Sequence, residues 1–298
     1  MTRAPWSTQR VRVVLLALLL AVAGGGCATR FPTPVSGMAW EDGLSAQEIF
    51  NRTLEVHGGE VGATTSDVNL SMTGTWGWLI QRIQPVVTDS GYRISAQERY
   101  HPAEQVYAVL WEGPRGTKKV VRTPDSIEVY YNGVREVDET RLGAAAMTAD
   151  AFQLFHLGPT FLRARQASFE RLADEKEKGR RYYRLLATLR PGFGRSAEDQ
   201  VVLWVDAETG RWFRVHLTLE GFETTRGAHV DVTFLRHQQV GPLLLPVEFH
   251  ERVRGPIRIN AHDWSFTGVD LGRGWAVEEV SGAGFSGSAL APAKPLAP

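Results

Sequence analysis

Histidine and serine are the residue types here that most directly suggest chemistry, and their spacing argues against it. The chain has eight histidines. His250-Glu251 lacks a second histidine four residues later, so it is not the zinc motif H-E-x-x-H, and His229 and His237 do not stand at ligand spacing. Ser286 lies in "GFSGSA" with no strand before it and no helix after it, unlike a nucleophile elbow. We therefore expect no catalytic residue, no metal and no cofactor, and we do not expect an enzyme.

Cys27 is the only cysteine, and its position suggests lipid attachment. It follows a basic N-terminus and an apolar run of eleven residues, Val13–Ala23. That run is shorter than the ~20 residues of a membrane-spanning helix and is typical of a signal peptide. Gly24-Gly25-Gly26-Cys27 looks like the bacterial lipobox, in which small residues precede a cysteine that becomes lipidated. The usual lipobox has leucine where this chain has Gly24.

The sequence is compatible with two cleavage sites for the signal peptide. Ala21-Val22-Ala23 fits the A-x-A pattern of ordinary signal peptidase, which would leave Cys27 as a free thiol. Lipidation is favoured because an unpaired thiol is a liability in an oxidising compartment, and two or more chains such as palmitate give stable anchoring. We predict a signal peptide at 1–26 and a lipid on Cys27. No aspartate follows Cys27 directly, which resembles the sorting pattern of enterobacterial outer-membrane lipoproteins and implies a place on the periplasmic face of the outer membrane. Without the lipid, the protein would be periplasmic.

The remaining composition divides the chain into three parts. The 33 basic and 33 acidic residues balance, and the absence of a basic stripe argues against nucleic-acid binding. Residues 27–43 are rich in Pro, Thr, Ser and Gly, which predicts a flexible tether. Residues 281–298 are rich in Gly, Ser, Ala and Pro, which predicts a disordered tail. We therefore expect one folded domain at 44–280.

Local patterns in 44–280 indicate a mainly β (α+β) domain. Ser45 and Glu48 fit the capping box of an N-terminal helix, and 141–162 predicts a second helical segment ended by Pro159. Elsewhere, apolar residues alternate with polar ones and predict ten or eleven strands. Asn132-Gly133 signals a hairpin, while the alternation is interrupted at Glu251.

Short turns between these strands favour an antiparallel meander, because parallel pairs need long crossovers. Two helical segments are too few to cover so wide a sheet if it lies flat. We therefore predict a strongly curved antiparallel sheet that wraps around its own apolar face, with the N-terminal helix and the second helical segment filling its concave side.

Three stretches resemble the LolA/LolB-like lipoprotein-carrier family: "AQEIFNRTLEVHGG", "VVLWVDAETGRWFRVHLTL" with its Asp-x-x-Thr-Gly turn, and "VGPLLLPVEFHE". The resemblance implies an unclosed barrel with helices over an apolar cavity that takes acyl chains. It also draws attention to residues 76–80, which would form either a protruding apolar loop or a continuation of the strand into the core.

We predict an apolar ligand site on the concave face. The candidate wall residues are Leu70, Met72, Leu110, Val129, Phe213, Val215, Leu217, Val232 and Phe234, and the lid residues are Phe152, Leu154 and Phe155. The predicted function is a membrane-anchored envelope lipoprotein that binds an acyl chain or other apolar ligand and handles lipids or acylated proteins. The alternative is a structural or interaction lipoprotein with a filled core, which docks an envelope protein through an edge strand or loop.

Overall fold

In the part of the chain that the structure describes, thirteen antiparallel strands form one curved sheet that does not close into a barrel. The computed structural model describes residues 29–35, 37 and 40–296, so the predicted signal peptide at 1–26 and Cys27 lie outside the described residues. The strands are β1 Val68–Trp76, β2 Ser95–His101, β3 Val106–Gly113, β4 Gly116–Arg122, β5 Ile127–Tyr131, β6 Val134–Arg135, β7 Ser168–Glu177, β8 Arg180–Leu189, β9 Asp199–Asp206, β10 Trp212–Thr218, β11 His229–Val240, β12 Leu243–Gly255 and β13 Ile259–Leu271.

The α-helices lie at the N-terminus, between strands and in the C-terminal segment. They are α1 Ala46–Val56, α2 Val61–Thr64, α3 Trp78–Ile83, α4 Pro85–Thr88, α5 Glu139–Leu157, α6 Pro159–Ala164 and α7 Gly287–Leu290, with 3-10 turns at Glu223–Thr225 and Val277–Val280. The predicted capping box is present, since the Ser45 backbone N–H donates to Glu48 at 2.8 Å and the Glu48 N–H to the Ser45 hydroxyl at 3.2 Å. No described helix has the length and apolarity needed to cross a bilayer.

The chain enters the sheet at a central strand, β1, and adds strands up to the β6 edge. It then crosses to the opposite edge at β7 and adds strands back to β13, next to β1. The strand order is β6-β5-β4-β3-β2-β1-β13-β12-β11-β10-β9-β8-β7, so β1 pairs with both β2 and β13. Helices α5 and α6 connect the β6 edge to the β7 edge. The Asn132-Gly133 hairpin is confirmed: φ is 50° at Asn132 and 79° at Gly133, as a two-residue type I′ turn needs.

The structure has more strands than the alternation predicted, because charged residues obscure β4 and β7. Lys118 in β4 is almost wholly buried but pairs with Asp89 at 2.7 Å. Arg171 in β7 pairs with Asp42 at 2.6 Å. Ion pairs let charged residues occupy buried strand positions that a polarity pattern assigns to turns.

The C-terminal segment differs from the predicted disorder over residues 281–296. It lies on the convex face and forms α7, and a bridge joins Pro295 to Gly268. Buried Arg99 donates to the Ala289 and Ala291 carbonyls at 2.8 and 2.7 Å. A segment poor in apolar surface is thus held by cations that bind its backbone. Part of the predicted tether is also placed, since Phe31 packs on His216 with ring centroids 4.8 Å apart.

Helix α5 crosses the concave face, and its whole length from Gly143 to Leu157 is buried or nearly so. One buried polar network fixes it to the sheet. His156 Nε2 accepts the Trp264 indole N–H at 3.0 Å, so the Nδ1 of a neutral ring carries the proton and donates to Glu98 at 2.8 Å. The helix therefore has one defined position over β2 and β13, as the predicted lid requires.

Candidate functional site

The sequence-predicted wall residues mostly lie where they were expected. Ten of the twelve candidates belong to the main apolar core on the concave side: Leu70, Met72, Val129, Phe152, Leu154, Phe155, Val215, Leu217, Val232 and Phe234. The prediction for Leu110 and Phe213 is wrong, because both face the convex side.

Each error has a local cause. In β3 both alternating sets are apolar, and the set with Tyr107 and Trp111 takes the concave side, which puts Leu110 opposite. In β10 a register shift between Trp212 and Arg214 marks a bulge, which changes the phase of the alternation. Trp212 therefore joins the core, while Phe213 stacks on Tyr182 with ring centroids 4.5 Å apart.

Helix α5 fills most of the concave face and leaves a cavity at one end. The cavity has a volume of about 200 Å³ and lies between α3, α4, α5 and strands β11–β13. Of the predicted ligand residues, only Phe152 and Phe155 line it. The other apolar lining residues are Trp76, Ile80, Ile83, Val87, Met147, Ala151, Leu219, Ala228, Val230, Val253, Pro256, Ile257 and Ala261.

The mouth of the cavity is formed by exposed apolar side chains. Ile83 is 44% exposed and Ile257 is 45% exposed, and both line the cavity. Residues 76–80 were expected to form either a protruding apolar loop or a continuation of the strand into the core, and each interpretation holds for part of the segment. Trp76 is buried with its ring stacked 3.9 Å from that of His262, whereas Trp78 in α3 is 69% exposed.

Glu251 is the one carboxylate on the cavity wall. Burial, reinforced by the negative charges of Asp231 and Asp263 and opposed by Arg93, raises its pKa to about 7. Among the described residues its carboxylate has neither an ion pair nor a hydrogen bond, and only burial and more distant charges act on it. An apolar cavity thus carries one carboxyl group whose pKa lies near neutral pH. The signal for this group in the sequence was the interrupted alternation at Glu251.

Arg93 and His262 are buried beside this wall. The Arg93 guanidinium lies 4.6–5.0 Å from the ring centroids of Trp76, Trp111 and Phe152 and donates to the Val87 carbonyl at 2.8 Å. Both ring nitrogens of His262 are without a partner among the described residues, and burial and the nearby Arg93 hold its pKa well below the usual range. The sequence offered no signal that these groups would meet.

The arrangement can hold an apolar group. Within the described ranges, no group of three or more His, Cys, Asp or Glu side chains is placed to hold a metal ion. The cavity offers mainly apolar side chains, with a few threonine hydroxyls, the Gln84 amide, the Arg226 guanidinium and the Glu251 carboxyl, which is the composition of a small-molecule pocket.

No protein-family model matches the sequence, and no curated protein matches it. Solved structures are similar to it. A LolA superfamily protein from Nitrosomonas europaea is 14% identical with a TM-score of 0.44, over 80% of this chain and 98% of that chain. A DUF1329 family protein from Desulfovibrio piger is 13% identical with a TM-score of 0.41, over 78% of this chain and 95% of that chain.

A third similar structure is a domain from Vibrio parahaemolyticus assigned to outer membrane lipoprotein sorting. It is 10% identical with a TM-score of 0.40, over 79% of this chain and 97% of that chain. These likenesses concern the fold and assign no ligand or partner. The sequence predicted a resemblance to the LolA/LolB-like family, and a LolA superfamily protein is among the structures to which this chain is similar.

Proposed function

We propose that this protein is a membrane-anchored envelope lipoprotein that binds an acyl chain or another apolar group in the cavity beside α5. The cavity itself is the observation that supports this. Its volume of about 200 Å³ exceeds the ~150 Å³ of an apolar cavity that binds benzene. Each Å² of apolar ligand surface removed from water contributes roughly 25 cal/mol.

The geometry limits how the ligand enters. The exposed side chains of Ile83 and Ile257 frame the mouth, and Phe152 and Phe155 of α5 form part of the wall. Because α5 fills the rest of the concave face, the cavity takes one end of a long chain. The remainder of the chain would lie across the exposed apolar residues of α3, Trp78 and Ile83.

A second candidate is an interaction lipoprotein without a ligand. The packing of seven predicted wall residues and the predicted lid residue Leu154 in the core, away from the cavity, favours it. So does edge strand β6, where Val134 is 71% exposed and the following Val137 is 79% exposed. An exposed edge can pair with a strand of another protein.

Paired tryptophan substitutions in α4 separate the two candidates. Val87 lines the cavity and its neighbour Val86 does not. Val87→Trp should weaken binding of a fluorescent fatty acid about tenfold or more, because the indole occupies the cavity, whereas Val86→Trp should leave it unchanged. Circular dichroism checks that both variants are folded. Equal binding by both variants, or no dye binding and no lipid found by mass spectrometry in the purified wild type, would favour the interaction lipoprotein.

The proposed anchor has its own test. Cys27→Ser should release the processed protein from the outer-membrane fraction, because no acyl chain remains to hold it at the bilayer. Immunoblotting of membrane and soluble fractions measures this, with Ser36→Ala as the matched control in the same segment. Membrane retention of the processed Cys27→Ser protein would contradict the anchor and leave the cavity proposal intact.

A further inference from the structure

An open groove on the convex face, opposite the cavity, is lined mainly by arginines. It has a volume of about 470 Å³ and runs over strands β7–β12 beside residues 29–32. Its charged lining residues are Arg30, Arg184, Arg214, Arg252, Arg254 and Arg258 with Glu175, Glu177 and Asp231. Six guanidinium groups against three carboxylates leave a formal excess of three positive charges.

The single negative charge of Asp231 is too small to neutralise all the arginines around it. Arg252 makes a two-pronged contact with it at 2.9 and 2.8 Å, Arg254 reaches it at 3.1 Å, and Arg214 lies 3.9 Å away. Arg214 has a second carboxylate in Glu177, at 2.7 and 3.0 Å. Arg252 and Arg254 therefore share a single negative charge.

Two further arginines at the rim have no carboxylate. Arg30 and Arg258 are exposed, and neither makes an ion pair within the described part of the chain. The crowded positive charges also lower the pKa values of neighbouring basic groups. Burial lowers the pKa of Arg254, and Arg252, Arg258 and Arg214 lower it further. His216, which also lines the groove, has its pKa lowered to about 3, first by burial and then by His229 and Arg254, Arg214 and Arg184, so it stays neutral.

The groove lies next to the point where the chain leads toward Cys27. The backbone N–H of Thr29 donates to the Arg254 carbonyl at 3.1 Å. Two residues span at most about 7 Å, so a lipid on Cys27 would hold this groove close to the bilayer surface. This step rests on the proposed anchor, while the charge of the groove does not.

We propose that the arginine groove binds the phosphate group of an anionic phospholipid at the membrane surface. Guanidinium forks match phosphate oxygens in two-pronged geometry, and the unpaired donors of Arg30 and Arg258 stand at the groove rim. An anionic phosphate supplies the counter-charge that Asp231 cannot give to all of its neighbours.

The test compares two charge-reversed variants of the full chain, both carrying Cys27→Ser so that the anchor does not mask the result. The groove variant is Arg30→Glu with Arg258→Glu, and the matched control is Arg82→Glu with Arg211→Glu, two exposed arginines outside the groove. Co-sedimentation is measured with vesicles of phosphatidylcholine, with and without phosphatidylglycerol. Calorimetric titration with inorganic phosphate forms the second arm, and circular dichroism monitors folding.

We expect phosphatidylglycerol to increase vesicle binding of the parent and the control. The groove variant should bind such vesicles at least about thirtyfold more weakly, because losing two basic residues at a membrane surface implies that factor and the two glutamates add repulsion. Added salt should reduce the difference by screening. Equal binding of groove and control variants to phosphatidylglycerol vesicles would overturn the proposal. If inorganic phosphate binds and is lost in the groove variant while vesicles do not separate the two, the ligand is a soluble phosphate and the lipid assignment is wrong. The fatty-acid assay of the cavity is independent of all these outcomes.

Discussion

The cavity and the arginine groove lie back to back on the same two strands. In β11 Val230 lines the cavity and Asp231 the groove, and in β12 Val253 lines the cavity and Arg252 the groove. Successive side chains of a strand point to opposite faces, so a single pair of strands carries an apolar wall and a basic one.

The two faces treat a carboxylate in opposite ways. Glu251 faces apolar side chains, and burial raises its pKa to about 7. Asp231 is only 2% exposed, yet two arginines bind its oxygens at 2.8–3.1 Å. A buried charge is stable where partners compensate its desolvation and is otherwise neutralised by a proton. The comparison therefore predicts opposite effects of neutralising these two residues.

The largest effect is expected at Asp231. Asp231→Asn should lower the free energy of unfolding by about 3 kcal/mol, because it leaves several arginines crowded without their shared counter-charge. Urea unfolding measures the loss, and added phosphate should restore part of it. Glu248→Gln is the control on β12, since that exposed carboxylate lies 3.8 Å from Arg236 and its loss should cost less than about 1 kcal/mol. Equal stability of the two variants would remove the contrast between the faces.

A smaller effect of opposite sign is expected at Glu251. Its folded-state pKa of about 7 lies above the ordinary value of 4.5, so folding favours the protonated acid. Its contribution to stability falls as the pH rises from about 4.5 to about 7 and is flat above that. Glu251→Gln should therefore stabilise the protein by about 1–3 kcal/mol at about pH 8 and have little effect at about pH 4. A destabilised Gln variant at the higher pH would show that the carboxylate has a partner.

The smallest effect concerns the pH dependence of ligand binding. An apolar ligand that excludes water from Glu251 favours its protonated form, so fatty-acid dye should bind up to about tenfold more tightly at about pH 6 than at about pH 8. Titration of dye fluorescence measures this. In Glu251→Gln the dependence should disappear, while Glu248→Gln should retain it. A dependence that persists in Glu251→Gln would place the titrating group elsewhere.

Much of the fold could be predicted from local patterns. The capping box of α1, the Asn132-Gly133 hairpin and the helical segment that became α5 and α6 depend on contacts between near neighbours in the chain, which a sequence pattern records. Strands β4 and β7 could not be predicted in this way, because Lys118 and Arg171 are compatible with burial only through Asp89 and Asp42, which are distant in sequence.

The candidate site shows the same division. Phe152 and Phe155 were predicted and line the cavity. Val87, Ile257 and Glu251 also line it but were not among the predicted residues, because they come from separate parts of the chain that only the folded structure brings together. Phe213 was misplaced because a bulge in β10 changed the phase of the alternation.

The sequence by itself determined a mainly β chain with an apolar inner face, an N-terminal helix and a helical segment in the middle, since periodicity and caps are local properties. The tertiary structure alone decided that α5 fills most of the concave face, that a cavity of about 200 Å³ remains, and that six arginines meet on the opposite face. Volume and net charge at a site are sums over residues brought together from the whole chain, and strand order and register decide which residues those are.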